Sequence, residues 1–259
     1  MKIGFVGDIH EDVKSLLEAL RLLEKRNCDE IVCLGDIVGF DVRHYRYLSS
    51  RDASRCIGLV RENCRYVLAG NHDLFAIRKR PRSTSGFEFP EEWYRLDYAE
   101  RKRLAANQVW LFEQQELSPL LTASDREYLD SLPEFTAAEF GGLRVLLTHE
   151  VVPDSTGSLT WRPKNHWDFR HHFRFMRENR CHLGISGHLH PNGLGVARSD
   201  DFQIFSFRTY PIGSDLVQYI CPCTAHSSSR NGFLMLDTAR MTMEAVAMKS
   251  RRYQIDCFR

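Results

Sequence analysis

The sequence has almost no charge bias: 35 Lys and Arg stand against 34 Asp and Glu, a formal +1 over 259 residues. A polyanion-binding surface spread over the whole molecule is thereby excluded, so any nucleic-acid contact has to be local. The opening MKIGFVGDIH has one lysine and a short apolar run ended by Asp8, too little for a signal-peptide core or a membrane span. The chain is therefore expected to be cytoplasmic, with no membrane partner. Internal repeats and low-complexity segments are lacking. So is a cysteine framework, although there are eight cysteines. Cys28, Cys33, Cys56, Cys64 and Cys181 fall in apolar or helical patterns, and Cys221 and Cys223 form the one close pair, without partners at structural-zinc spacing. All read as small buried hydrophobes.

What is present is one design used five times. An apolar, β-branched run ends at a polar residue able to hold a metal. Residues 2–7 precede Asp8-Ile9-His10, residues 31–35 precede Asp36, and residues 64–69 precede Gly70-Asn71-His72-Asp73. Residues 143–148 precede His149, and residues 182–186 precede Gly187-His188-Leu189-His190. Each run reads as a buried strand. Open α/β sheets bind ligands at the carboxyl ends of their strands, so these polar residues should converge on one crevice.

Along the chain, Val13, Leu16, Leu17, Leu20 and Leu23 recur at helical spacing behind Asp12, a plausible N-cap, and a second helix is expected over residues 54–63. Strand, helix, strand, helix, strand implies a parallel sheet. The rhythm then breaks over residues 78–135, which open with Arg78-Lys79-Arg80-Pro81-Arg82 and a Ser/Thr/Gly segment at 83–86. Residues 94–115 and 124–131 look helical, so this stretch reads as an insertion or lid near the crevice. From Leu194 onward short alternating runs predict antiparallel strands packing as a second sheet against the first.

Asp, His and Asn without cysteine make a mixed oxygen and imidazole site suited to manganese, iron, zinc or nickel. The set is larger than one ion can use. Two ions roughly 3.5–4 Å apart, sharing one carboxylate, would use it all.

Taken in order, DIH at 8–10, GDIVG at 35–39, GNHD at 70–73, TH at 148–149 and GHLH at 187–190 resemble the signature of the calcineurin-like metallophosphoesterases. The resemblance covers nearly the whole chain. It implies an α/β fold, a four-layer αββα sandwich of two mixed sheets flanked by helices, here a single domain over 1–259 with a mainly helical insertion. It implies that Asp8, His10 and His190 hold one metal, that Asn71, His149 and His188 hold a second, and that Asp36 bridges both. His72 would be the catalytic histidine outside the ligand set. The activity implied is hydrolysis of a phosphate ester by metal-activated water, and small prokaryotic members favour phosphodiesters. A monoesterase, a protein phosphatase or a catalytically silent metal-binding module are the alternatives.

The departures bear on substrate. Gly39 and Phe40 replace the second Asp and the Arg of the protein-phosphatase motif GDxxDRG, which speaks against phosphoprotein substrates and leaves open what supports His72. Glu150 stands where a glycine usually follows the histidine, and it reads as solvated or salt-bridged. Basic and aromatic residues follow both Asp73 and His149: Arg78, Lys79, Arg80 and Arg82, then Trp161, Arg162, Lys164, Trp167, Arg170 and Arg174. They suit a small phosphorylated substrate such as a nucleotide, with single-stranded nucleic acid a weaker partner.

Overall fold

The computed structural model describes residues 1–82 and 86–249. Residues 83–85 of the Ser/Thr/Gly segment and Cys257 lie outside the described residues. β1 (Lys2–Val6) leads into α1 (Val13–Lys25), and β2 (Glu30–Cys33) leads through a two-residue β3 (Phe40–Asp41) into α2 (Ala53–Asn63). β4 (Tyr66–Val67) runs into the short α3 (Asn71–Ala76). Both long helices start where a side chain accepts an orphan amide: Asp12 from Ser15 N, Asp52 from Arg55 N. β1, β2 and β4 pair in parallel, as the alternation of strand and helix predicts.

Among the described residues of the insertion, only α4 (Tyr98–Ala105) and α5 (Ala123–Ser131) are helical, with β5 (Glu116–Leu117) between them. The expected helix over 94–115 therefore shrinks to eight residues, and the insertion is not mainly helical. α4, YAERKRLA, lacks an apolar stripe to hold a longer helix against a core, and Ala106 and Asn107 end it in left-handed conformation (φ 44° and 63°). β5 pairs antiparallel with β3, Asp41 facing Glu116.

β6 (Phe135–Phe140), unforeseen in the sequence, forms a hairpin with β7 (Leu143–Thr148) across Gly141 and Gly142, both at positive φ. α6 (Arg170–Glu178) and β8 (Leu183–Ser186) follow. Then come β9 (Leu194–Ala197), β10 (Phe202–Phe205), β11 (Thr209–Pro211), β12 (Val217–Ile220), β13 (Gly232–Asp237) and β14 (Thr242–Ala247). These late strands do not form one second sheet. The first sheet runs β11-β14-β13-β1-β2-β4 and the second β10-β9-β12-β8-β7-β6, so the late strands are divided between them. The reason is burial on both faces: β13 is buried at every position, which only a central strand permits, and it lies between β1 and β14.

Ile3, Phe5 and Val32 of the first sheet, with Leu34 just past the end of β2, meet Val145, Leu147, Ile185 and Tyr219 of the second in the central core. Outside the first sheet, Val6, Cys33 and Phe233 pack with Leu16, Leu23, Ile57 and Val60 of α1 and α2. Outside the second, Leu146, Ala197 and Ile220 pack with Phe173 and Met176 of α6. These layers are the expected αββα sandwich. Among the described residues no helix is long and apolar enough to cross a membrane.

Candidate metal centre

Five strand ends deliver their polar residues to one crevice between the sheets, and the backbone is bent to aim them. Asp8, His10, Asp36, His188 and His190 all adopt positive φ, between 47° and 63°. Non-glycine residues seldom sit there, and such strain collects at functional sites. At Gly70 the missing side chain is required: a Cβ would collide with the Asp36 carboxylate and backbone.

Three sets of donor atoms lie close together: Asp8, His10 and His190; His10, Asp36 and His72; and Asp36, His149 and His188. Asp8 Oδ1 lies 3.1 Å from His190 Nε2, and Asp36 Oδ2 lies 3.1 Å from His149 Nε2. Asp36 Oδ2 is also 4.0 Å from His10 Nε2 and 4.0 Å from His72 Nε2, so it stands at the centre. Asn71 is buried beside it at the start of α3.

The hydrogen bonds fix how these rings are turned. His10 Nδ1–H donates to Gly39 O (2.9 Å) and His149 Nδ1–H to Leu34 O (2.7 Å), so that each Nε2 is the atom turned toward Asp36. His10 Nε2, His149 Nε2, His188 Nε2 and Asn71 Oδ1 are buried and without hydrogen-bond partners. Unsatisfied buried polar atoms are rare and costly, and their convergence around two carboxylates fits divalent cations. The Asp8 carboxyl, which burial alone would raise, is held to about 2 by His190 and His149. Burial lowers His10 to about 3, with His72 adding to the fall. In His149 burial is outweighed by Asp36 and Asp8, and its pKa rises to about 10.

His72 projects from α3 with its backbone N–H donated to Asp36 Oδ1 (2.9 Å). Its neighbour Asp73 does not support its ring. Asp73 instead accepts from Ile37 N, Val38 N and Gly70 N, tying the Asp36 loop to α3. The ring contact comes from Glu116 of β5, whose Oε2 lies 2.6 Å from His72 Nδ1. Burial opposes protonation of His72, but Asp36 and Glu116 outweigh it and raise the pKa to about 9.

The cavity over this cluster, about 200 Å³, has a wall made by Trp110 and Phe112 of the insertion and by Arg162. Phe112 lies 4.3 Å from the His72 ring and Arg162 lies 5.6 Å over Trp110. Of the basic and aromatic stretches expected to reach substrate, only Arg162 lines it. Arg80 is spent on the carbonyls of Phe89 and Pro90, Lys79 on Asp130, and Trp167 points outward, 67% exposed. Glu150 is not solvated but fully buried, its Oε2 3.8 Å from His188 Nε2, and burial raises its carboxyl to about 8. Cys221 and Cys223 are buried free thiols, and Cys223 donates to Asp8 O. Trp110, Phe112 and Glu116 had no motif to mark them.

Residues 1–192 match the sequence model of the calcineurin-like phosphoesterases. Among curated proteins, the uncharacterized protein MJ0912 of Methanocaldococcus jannaschii is similar at 26% identity over 148 residues, 57% of this chain. The match spans about half of that relative's length, 48%. A metallophosphoesterase from Sphaerobacter thermophilus superposes with a TM-score of 0.63, covering 97% of this chain and 90% of its own at 19% identity. A hypothetical protein from Pyrococcus horikoshii OT3 gives 0.59, covering 96% and 88% at 13% identity. At such identities the two structures speak for the fold alone. The sequence match, in contrast, extends over most of the chain and takes in every strand-end residue from Asp8 to His190, so the chain belongs to the calcineurin-like phosphoesterase family.

Proposed function

We propose that this protein is a dinuclear metal-dependent phosphodiesterase acting on a small, nucleotide-like substrate. The observation that carries the reading is the convergence of unpartnered ring nitrogens of His10, His149 and His188 around Asp36. Asp8, His10 and His190 would hold one divalent ion and Asn71, His149 and His188 the other, with Asp36 shared. Such ions, when bound, offset charge on the phosphoryl oxygens and lower the pKa of water.

The chain's own residues do the rest. His72 Nε2 faces the crevice and passes a proton to the leaving oxygen. Arg162 meets the phosphoryl charge that Phe40 cannot, since Phe40 is packed among Tyr45 and Tyr47. Trp110 and Phe112 offer flat apolar faces to a base. Arg43, the other arginine of the cavity, is paired with Asp41 at 2.7 Å. This sparse cationic complement suits a monoanionic diester better than a dianionic monoester or a phosphoprotein.

Calorimetric titration of chelator-treated protein with manganese, nickel or zinc should show two equivalents per chain. Turnover of bis-p-nitrophenyl phosphate should exceed that of p-nitrophenyl phosphate and stop with chelator. Cyclic nucleotides, dinucleoside polyphosphates and short oligonucleotides then narrow the substrate. A single equivalent would refute the dinuclear site, and monoester preference the diesterase reading.

A further inference from the structure

We infer that Glu116 is a positioning residue for the reaction: by holding His72 Nδ1 it fixes the ring so that Nε2 faces the leaving group. The inference rests on the reading of His72 as proton donor and adds to it a part delivered by the insertion.

The His72 ring is fixed on three sides. On one side it lies against Gly39, where a Cβ would meet the His72 Cβ at 2.5 Å and the ring Nδ1 at 2.6 Å, so only glycine leaves room. Phe112 packs against another side, its ring tilted by 38° and its centroid 4.3 Å away. At the edge, Glu116 Oε2 accepts a hydrogen bond from His72 Nδ1–H at 2.6 Å. A carboxylate can only accept there, so Nδ1 carries the hydrogen and Nε2 is left on the side of Asp36. A carboxylate held on the far nitrogen of a catalytic histidine sets its orientation and tautomer.

Glu116 has no other evident occupation. Its side chain is 1% exposed, and its second oxygen, Oε1, is buried without a partner. A buried carboxylate kept only for the fold would be expected to have both oxygens satisfied. Its position is in turn secured from two directions. β5 pairs with β3, and Arg51 donates to Leu117 O and Ser118 O while its Nε lies 3.5 Å from Glu11. The segment between the third and fourth strand-end motifs thus contributes to the chemistry as well as to the cavity wall.

The test compares wild type, Glu116→Gln, Glu116→Ala, His72→Ala and the double variant Glu116→Ala/His72→Ala as metal-loaded full chains. Each is assayed on a diester with a p-nitrophenolate leaving group and on an alkyl diester. Glu116→Ala should lower kcat on the alkyl ester by roughly 10²-fold or more, toward the loss seen for His72→Ala, with less effect on the nitrophenyl ester. Glu116→Gln, which keeps an acceptor but no charge, should fall between. KM and the number of metals bound should not change, and the double variant should be no slower than His72→Ala alone. Proton–nitrogen correlation of the His72 ring in zinc-loaded protein should show hydrogen on Nδ1 in wild type and its loss or exchange in Glu116→Ala. That spectrum decides the matter even where turnover is low.

If His72→Ala is slow while Glu116→Ala keeps full kcat and the Nδ1–H signal, the positioning role is wrong and the proton-donor reading survives. If His72→Ala keeps full kcat on both esters, both are wrong. Additional loss in the double variant, or loss of metal from Glu116→Ala, would make Glu116 structural and overturn the inference.

Discussion

Two buried histidines of this protein, His149 in the crevice and His172 on the inner face of α6, are equally shielded from water and differ in what their second ring nitrogen meets. His172 Nδ1 accepts from Val152 N–H at 3.1 Å, and its Nε2–H donates to Gln218 Oε1 at 2.7 Å. The Gln218 amide passes on to Ser186 Oγ and Tyr219 O. Every partner is neutral and both ring nitrogens are used, so burial lowers the pKa to about 4 against a small lift from Gln218. His149 instead turns Nε2 toward two carboxylates, 3.1 Å from Asp36 Oδ2 and 3.9 Å from Asp8 Oδ1, and its pKa is driven the other way. The difference separates a network of matched neutral donors and acceptors from a cluster of imidazoles and carboxylates. Histidine content alone would not have distinguished them.

The largest effect should come from Asp36→Asn, which keeps the shape at the centre of the crevice and removes the shared charge. Metal content should fall below two per chain and diester turnover by at least about 10³-fold, on the scale at which metal centres contribute to hydrolysis. Full metal content with full activity, measured by elemental analysis and bis-p-nitrophenyl phosphate assay, would erase the contrast between the two networks.

His72→Ala should come next, with roughly 10²–10⁴-fold lower turnover and both metals retained. Loss of metal from that variant would move His72 into the ligand set, where its 4.0 Å approach to Asp36 would then have to be read as coordination geometry. Smaller still, Arg162→Ala and Trp110→Ala should raise KM for a nucleotide diester by about tenfold, the loss of a charged or stacking contact of about 1.4 kcal/mol, and more than for the nitrophenyl ester. Arg80→Ala and Trp167→Ala should leave both KM values unchanged, because neither side chain lines the cavity.

How much of this was legible in the sequence follows from how each part is encoded. Asp8, Asp36, Asn71, His149 and His188 sit at the ends of apolar runs, so a local pattern announces both the strand and the residue it presents. The parallel order of β1, β2 and β4 was legible for the same reason. Glu116 is one acid in a charge-rich stretch, and it reaches His72 only through the pairing of two-residue strands β3 and β5, which no periodicity reveals. Arg78 and Arg80 show the opposite: they are close to His72 in sequence but do not line the cavity, because α3 turns the chain away. The division of the late strands between two sheets was hidden too, since alternation signals a strand but not its neighbours. β13 did carry a clue in its unbroken apolar run, GFLML.

The His172 network should respond to pH in a way the crevice does not, with the smallest effect on turnover. Its folded pKa, about 4, lies below the 6.5 of an unperturbed histidine, so the unfolded chain takes up the proton first as pH falls. The stability that neutral His172 contributes is therefore fully present above pH 6.5 and is lost progressively toward pH 4, by an amount on the order of 3 kcal/mol. Protonation of Nδ1 would also set two donors facing each other at Val152 N. His172→Asn should cost about 2 kcal/mol at pH 7 by leaving buried groups unpaired. It cannot titrate, so its urea midpoint should converge on that of wild type between pH 7 and pH 5. Measuring both proteins in chelator cancels the crevice carboxylates, which they share. Turnover at pH 7 with metals restored should be unchanged, because α6 packs on the outer face of the second sheet. A constant gap between the two midpoints across this range would mean that His172 does not change protonation on unfolding, and the complete network would then owe its stability to packing and hydrogen bonds alone.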